Sequence, residues 1–290
     1  MKSELNHTIM LLIEKYNLNS LEVIGNPREL IIRLLADIKC CNINDIKLGL
    51  KVIEDEDLKK LEIFLDKISN KKMPPQYLTK TEYIYGNKFV IDENVLIPRQ
   101  DTETLIEAAI ENINRSEYKT ALDLCTGSGI IGISIAIHTN IEKVLLADIS
   151  EKALNIANEN IKLNNVNNKC STIQTNMFEN IYKLNKTYDI ILSNPPYLTK
   201  NEMEDISDFV KKEPEIALYG GEDGLNYYRV IFENAQRFLN ENGMIIVEIG
   251  CSQANDIMDI ISNYSCYNDI KIIKDINNKD RVVMCRFQNK

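Results

Sequence analysis

Ala121-Leu122-Asp123-Leu124-Cys125-Thr126-Gly127-Ser128-Gly129 is the stretch on which the fold depends. A short apolar run breaks into a glycine turn, and Gly132 completes the spacing Gly127-x-Gly129-x-x-Gly132. Such a run predicts a buried strand, because glycines let the backbone turn sharply and approach a ligand before a helix begins. Asp148 follows Gly129 by 19 positions, after the apolar run Val144-Leu145-Leu146-Ala147. A carboxylate there can accept both hydroxyls of a ribose. Strand, glycine turn and acid together identify a nucleoside pocket. They leave open whether the nucleoside is half of a nicotinamide cofactor or of S-adenosylmethionine.

Outward from this stretch the pattern alternates. Strands are expected near 119–124, 143–147, 170–174, 188–193 and 244–249, with helices between. That alternation predicts an α/β, Rossmann-like domain with a mainly parallel sheet and right-handed crossovers. Asp269–Ile273 and Arg281–Phe287, joined across Asn277-Asn278, read as a terminal antiparallel hairpin. Residues 1–72 read as a small helical bundle: Leu5, Ile9, Leu12, Ile13 and Tyr16 share one face, and Ile31, Leu34, Leu35 and Ile38 share another. A third face carries Leu58, Leu61, Leu65 and Ile68, with Glu54-Asp55-Glu56-Asp57 as a helix start that complements the dipole. Pro74-Pro75 breaks the helical pattern. Glu82–Tyr85, Lys88–Ile91 and Val95–Ile97 are β-rich and predict a hairpin bridging two domains. The expected organisation is a helical substrate-binding domain over 1–73, a linker with the hairpin over 74–98, and a catalytic domain over 99–290.

The chemistry comes from Asn194-Pro195-Pro196-Tyr197, directly after the apolar run Tyr188–Ser193. Two prolines remove two backbone donors and fix φ twice, so the strand ends there and presents rigid carbonyls beside the Asn194 amide. This arrangement suits a planar nitrogen such as a carboxamide or an exocyclic base amine, which bears two hydrogens and is a poor nucleophile. The Asn194 side-chain oxygen and the Pro195 carbonyl can take both hydrogens and aim the nitrogen at an electrophilic methyl group, with Tyr197 packing against the planar group or near the sulfonium. Asp123 adds a counter-charge suited to an α-amino group and unfavourable to a pyrophosphate; its alternative is a structural cap on the loop. Asp148 is also placed to cap the helix that follows. These features favour S-adenosylmethionine over a nicotinamide cofactor.

Composition narrows the setting. A net charge of −9 and an isoelectric point near 5.0 argue against sequence-independent binding along phosphate backbones, so no stable nucleic-acid binding is expected. No apolar run approaches the ~20 residues of a membrane span and no signal sequence opens the chain, which predicts a soluble, cytoplasmic protein. Seven cysteines lack a CxxC metal spacing and are expected as reduced thiols, with no metal. The two histidines, His7 and His138, lie far from Asn194 in sequence, so a histidine base is not expected. Without an uninterrupted zipper pattern, a monomer is expected.

Pro75-Gln76-Tyr77 with Tyr83–Gly86, Val95–Arg99 with Thr102-Glu103, the glycine loop, Ser193–Tyr197, Glu213-Pro214, Ala217-Leu218, Gly220-Gly221 with Asp223–Leu225, and Glu248–Gly250 with Gln253 follow one another in order. In this set the chain resembles, over nearly its whole length, the release factor glutamine methyltransferases, the PrmC/HemK family. The resemblance implies a class I S-adenosylmethionine-dependent methyltransferase domain, an N-terminal helical domain engaging the protein substrate, and methylation of the glutamine in the Gly-Gly-Gln loop of peptide chain release factors. Carried over by position, Asp123, Cys125, Thr126, Gly127, Ser128, Gly129, Asp148, Met177 and Asn194 would hold the cofactor, and Asn194, Pro195, Pro196 and Tyr197 the glutamine. Three positions depart from the family pattern: Cys125 stands where glycine is common, Gln100-Asp101 replaces a proline-acid pair, and Met177 stands where an aromatic often packs near adenine. Two other readings are a methyltransferase for exocyclic amines of adenine or guanine, and a non-catalytic binding module that retains a nucleoside pocket.

Overall fold

Asn26 accepts hydrogen bonds from the Arg28 and Glu29 N–H groups, and Pro27 takes the first helical position, so the chain enters a helix there. In the computed structural model, which describes residues 2–21 and 24–289, the N-terminal apolar faces form α1 (Lys2–Lys15), α2 (Pro27–Ile38), α3 (Ile43–Lys47), α4 (Asp55–Lys71) and α5 (Pro75–Thr79). Ile9, Leu12, Ile31, Leu34, Leu35, Leu61, Leu65 and Ile68 are buried together. The acidic run is a helix start, as expected: the Glu54 N–H donates to Asp57 at 3.0 Å, and Lys39 pairs with the same carboxylate at 2.9 Å. This unit runs to Lys80 and takes in Ser207–Lys212, whose Phe209 joins its core. The boundary thus lies beyond Pro74-Pro75. Pro75 occupies the first turn of α5, where a missing N–H costs nothing, so it starts a helix instead of ending the unit.

The second unit spans Thr81–Ile206 and Glu213 onward. It opens with an antiparallel hairpin, β1 (Thr81–Ile84) and β2 (Asn87–Val90), closed by Tyr85 and Gly86, both at positive φ as a two-residue type I′ turn requires. The fully buried Asn160 holds β2: its Oδ1 accepts the Val90 N–H at 2.6 Å, and its Nδ2 donates to the Val90 and Ser128 carbonyls, each at 2.9 Å. Val95–Ile97, expected as a β piece, is irregular. Asp92 draws the chain into a turn by accepting the Asn94 N–H, and the Ile97 N–H goes to the Glu213 carboxylate instead of a neighbouring strand.

After α6 (Asp101–Ser116) the strands and helices alternate: β3 (Thr120–Leu124), α7 (Ile130–His138), β4 (Lys143–Asp148), α8 (Glu151–Leu163), β5 (Cys170–Gln174) and β6 (Tyr188–Ser193). Then come α9 (Lys200–Asp205), α10 (Asn226–Asn234), β7 (Leu239–Glu248), α11 (Ala254–Ser262), β8 (Tyr267–Lys274) and β9 (Asp280–Phe287). The sheet order is β5-β4-β3-β6-β7-β9-β8. The first five strands in that order are parallel, and β9 is antiparallel to both β7 and β8, as the terminal hairpin predicts. Alternate residues of each strand serve two cores. Ile190, Leu192, Met244 and Ile246 pack with α6, α7 and α8; Ile191, Ile245 and Val247 pack with α10 and α11. From β3 the connectivity runs outward to β4 and β5 on one side and to β6 and β7 on the other. Ligands bind at the carboxyl ends of strands beside such a reversal.

Candidate active site

The turn after β3 begins at Cys125, which holds a left-handed backbone (φ 55°), followed by Gly127 (φ 54°) and Gly129 (φ 85°). Gly132 serves packing: a Cβ there would lie 2.1 Å from a Leu146 methyl, so only glycine lets α7 settle on β4. Asp123 takes the α7-facing position at the end of β3 and is completely buried. Its Oδ2 accepts from Thr126 Oγ1 at 2.5 Å and from the Gly132 N–H at 3.0 Å, while Oδ1 has no partner. Burial pushes its pKa up to about 7, against the Thr126 and Gly132 hydrogen bonds. Asp123 does not line the cavity above it. Its hydrogen bonds to Thr126 and Gly132 are those of a cap on the loop.

Asp148, at the end of β4, does face the cavity. Its Oδ2 accepts the Gly127 N–H at 2.8 Å and its Oδ1 the Ser150 N–H at 2.9 Å, so one carboxylate fixes the glycine loop and the approach to α8. Each oxygen keeps lone-pair capacity for a ligand hydroxyl. Burial raises the Asp148 pKa, opposed by these backbone donors. Ser150 caps α8 through the Ala153 N–H, so the capping role belongs to Ser150.

These residues ring a cavity of roughly 960 Å³, open mouth included, at the carboxyl ends of β3 to β6. Of the residues expected at the cofactor, Cys125, Thr126, Gly127, Ser128, Asp148, Met177 and Asn194 line it; Gly129 and Asp123 do not. Of the Asn-Pro-Pro-Tyr segment, Asn194 and Pro196 line it, and Pro195 and Tyr197 do not. The sulfurs of Cys125 and Met177 sit 3.7 Å apart, closing one wall. Burial pushes the Cys125 thiol well above its usual range, which keeps it an inert neutral thiol. Met177 supplies the apolar surface where an aromatic was expected.

Tyr197 is turned away. Its ring lies against Gly250, burial raises its phenol pKa, and its carbonyl accepts from Gln253 Nε2 at 3.0 Å. Around it the segment 218–224 closes on the turn: Leu198 exchanges backbone hydrogen bonds with Leu218 and Gly220 at 2.9 and 2.8 Å. A Cβ at Gly220 would meet the Pro196 carbonyl at 2.7 Å, and one at Gly224 would meet the Tyr197 carbonyl at 2.3 Å. Gly220 and Gly224 therefore let a second backbone lie on the Asn-Pro-Pro-Tyr turn.

Several lining residues escape the motif reading, among them Thr175, Asn176, Ile216 and Tyr227, while Pro98 and Thr102 come from the family motifs without having been assigned to the site. Thr175 and Asn176 follow β5, and the rule that ligands sit beyond strand carboxyl ends is the signal that finds them. Pro98 and Ile216 belong to walls far apart in sequence. Glu213 joins those walls by accepting the Ile97 N–H at 2.9 Å and pairing with Arg99. Burial raises the Glu213 pKa and Arg99 opposes the shift. Glu103 accepts the Tyr85 N–H at 2.8 Å, a tie between α6 and the hairpin. His138 contacts Asn87 at 2.8 Å and stacks edge-on with Tyr85, and it is not among the residues that line the cavity.

The comparisons with known proteins agree with this geometry. Residues 100–263 match the methyltransferase small domain family. A release factor glutamine methyltransferase of Clostridium botulinum is 37% identical over 235 residues, covering 81% of this chain and 82% of its own. One of Clostridium acetobutylicum is 38% identical over 233 residues, covering 80% and 81%. Among solved structures, a methyltransferase from Pyrococcus furiosus aligns with a TM-score of 0.53 at 17% identity, over 71% of this chain and 91% of that one, a likeness of fold.

Proposed function

The chain belongs to the release factor glutamine methyltransferase family, and we propose that it methylates the side-chain amide nitrogen of the glutamine in the Gly-Gly-Gln loop of peptide chain release factors, with S-adenosylmethionine as donor. One observation carries the reading. A fixed, cavity-facing carboxylate at the end of β4 and the Asn194 amide at the end of β6 share one pocket. The lining fits the donor: Asp148 has acceptor capacity for ribose hydroxyls, Met177 offers an apolar contact for adenine, and the Cys125–Ser128 loop bounds the pocket. When bound, S-adenosylmethionine supplies a sulfonium methyl group open to direct displacement, so the enzyme needs no nucleophile of its own.

The chain's part is to hold the amide. Asn194 Oδ1 accepts one amide hydrogen. The carbonyl of Pro195, the residue between the cavity-lining Asn194 and Pro196, is assigned the other. Both acceptors bind more strongly as the nitrogen gains positive charge, so they lower the barrier by orientation and electrostatics. The surplus proton leaves to solvent. Tyr197 positions the turn from behind and does not stack on the substrate.

We further assign substrate docking to the N-terminal helical unit, residues 1–73 of the expected organisation, where exposed Leu48, Leu50 and Val52 lie beside Lys47 and Lys51. The enzyme acts as a monomer in the cytoplasm, without stable nucleic-acid binding. Its net charge of −9 and seven free cysteines support that setting. Among the described residues, no helix is long and apolar enough to cross a membrane. Mass spectrometry of a purified release factor incubated with the enzyme and S-adenosylmethionine tests the reading. One methyl group on the loop glutamine is expected, absent from a Gln→Ala loop substrate and nearly absent with Asn194→Ala, which keeps its cofactor affinity. Full turnover by Asn194→Ala refutes the assigned role.

A further inference from the structure

Glu248 is the last residue of β7, and it is 1% exposed. The parallel register pairs Ser193 with Val247, which sets Asn194, one residue beyond β6, beside Glu248. Thr102, in the first turn of α6, is buried between them and also lines the cavity. Asn194 Nδ2 points to Thr102 Oγ1 at 3.4 Å, and both Thr102 and Asn194 favour the charged form of the Glu248 carboxylate. Glu248 Oε2 has no hydrogen-bond partner. A buried acceptor without a partner is costly, and a carboxylate serving only the strand end is easily replaced.

Resting on the function proposed above, we infer that Glu248, acting through the Thr102 hydroxyl, is a positioning residue that fixes which end of the Asn194 amide faces the substrate. An ionised carboxylate only accepts hydrogen bonds. Thr102 then directs its proton toward Glu248, its oxygen accepts from Asn194 Nδ2, and Asn194 Oδ1 is left for the amide hydrogens of the substrate. A neutral group at position 248 can donate. The Thr102 hydroxyl is then free to turn toward Asn194 Oδ1, and Asn194 swings its NH₂ into the cavity, where it opposes the substrate's own N–H groups.

The charges around Glu248 come from every element packed on it. Arg281 lies on β9, Asp101 on α6, Tyr197 follows β6, and Tyr228 on α10 donates its hydroxyl to the Glu248 carbonyl at 2.8 Å. Arg281 also pairs with Asp101 at 3.1 Å and Asp275 at 3.2 Å. Burial pushes the Glu248 carboxyl up to about 7, against Thr102, Arg281 and Asn194, with Asp101 adding to the rise. The switch from donor-capable to acceptor-only therefore falls in the neutral range.

The test is steady-state methylation of an intact release factor by full-length enzyme, with kcat and both KM values followed across the neutral range. Wild-type kcat is expected to rise with pH through a single titration near 7. Glu248→Gln lowers kcat about 100-fold, the scale of an Å-sized misplacement, and flattens the profile, with KM for S-adenosylmethionine unchanged. Thr102→Val shares the kcat loss, and Thr102→Ser recovers most of it. A Glu248→Gln enzyme with wild-type kcat and pH profile overturns the inference, as does equal loss in Thr102→Val and Thr102→Ser. The Asn194 side-chain amide, identified in ¹⁵N spectra by its absence from Asn194→Ala, gives a readout without substrate. It titrates near 7 in wild type and not in Glu248→Gln; signals indifferent to pH in the wild type overturn the inference. Wild-type enzyme that fails to methylate any release factor counts against the proposed substrate alone, and the amide signal still decides the orientation.

Discussion

Asp123 and Asp148 are both acids at the carboxyl ends of neighbouring strands, and their surroundings give them opposite tasks. Asp123 turns toward α7 and caps the glycine loop from below, with no surface in the cavity. Asp148 points up, and two backbone N–H donors lock its carboxylate in place before a ligand arrives. A preordered acceptor loses little entropy on binding, so each of its hydrogen bonds to a ribose hydroxyl contributes about 1.5–3 kcal/mol. Asp148→Ala should therefore weaken S-adenosylmethionine at least tenfold by calorimetry, and unchanged affinity counts against ribose binding. The pKa of Asp148 is raised, so affinity should also fall as acidification protonates it.

At the scale of elements, the site is a set of strand ends clamped by segments distant in sequence. Ser193 Oγ donates to the Leu124 carbonyl at 2.9 Å, joining β3 and β6 one residue before the turn that carries Asn194. The 218–224 segment lies directly on that turn, with Gly224 at φ 73° and no room for a side chain against the Tyr197 carbonyl. Backbone cannot yield as a flexible side chain does. Gly224→Ala should cost about 1–3 kcal/mol of stability and shift the turn, lowering kcat far more than cofactor affinity. Gly132→Ala strikes the Leu146 side chain instead, and should lower stability with a smaller loss of kcat per unit of stability lost. Denaturant midpoints set beside kcat for the two variants check the distinction, and parallel losses in both would refute it.

Across the whole molecule, the methyltransferase unit concentrates ionisable groups in its interior behind the cavity. Asp123 and Glu248 titrate near 7 when folded and near 4 when unfolded. The native state thus binds more protons between those values, so their contribution is full below the unfolded pKa and lost as pH climbs through 7. Asp148 and Glu213, also raised, act in the same sense. Asp57, Asp189, Asp223 and Asp275 are held low and lose their contribution only below about pH 4, outside this window. The urea midpoint should fall from mildly acidic to mildly alkaline pH, with a shallower fall in Glu248→Gln; a rising midpoint would refute the assignment. The sequence alone determined the strand series, the glycine turn, the acid at the end of β4 and the Asn-Pro-Pro-Tyr turn, because each rests on local periodicity or on φ restrictions within a few residues. It could not tell that Val95–Ile97 yields its backbone donor to Glu213, that Tyr197 faces the core, or that Asp123 looks down and Asp148 up. Nor could it show that Thr102 and Glu248 stand behind Asn194. Those outcomes depend on which residues a parallel register and a shared core bring together across long separations, and only the folded chain fixes them.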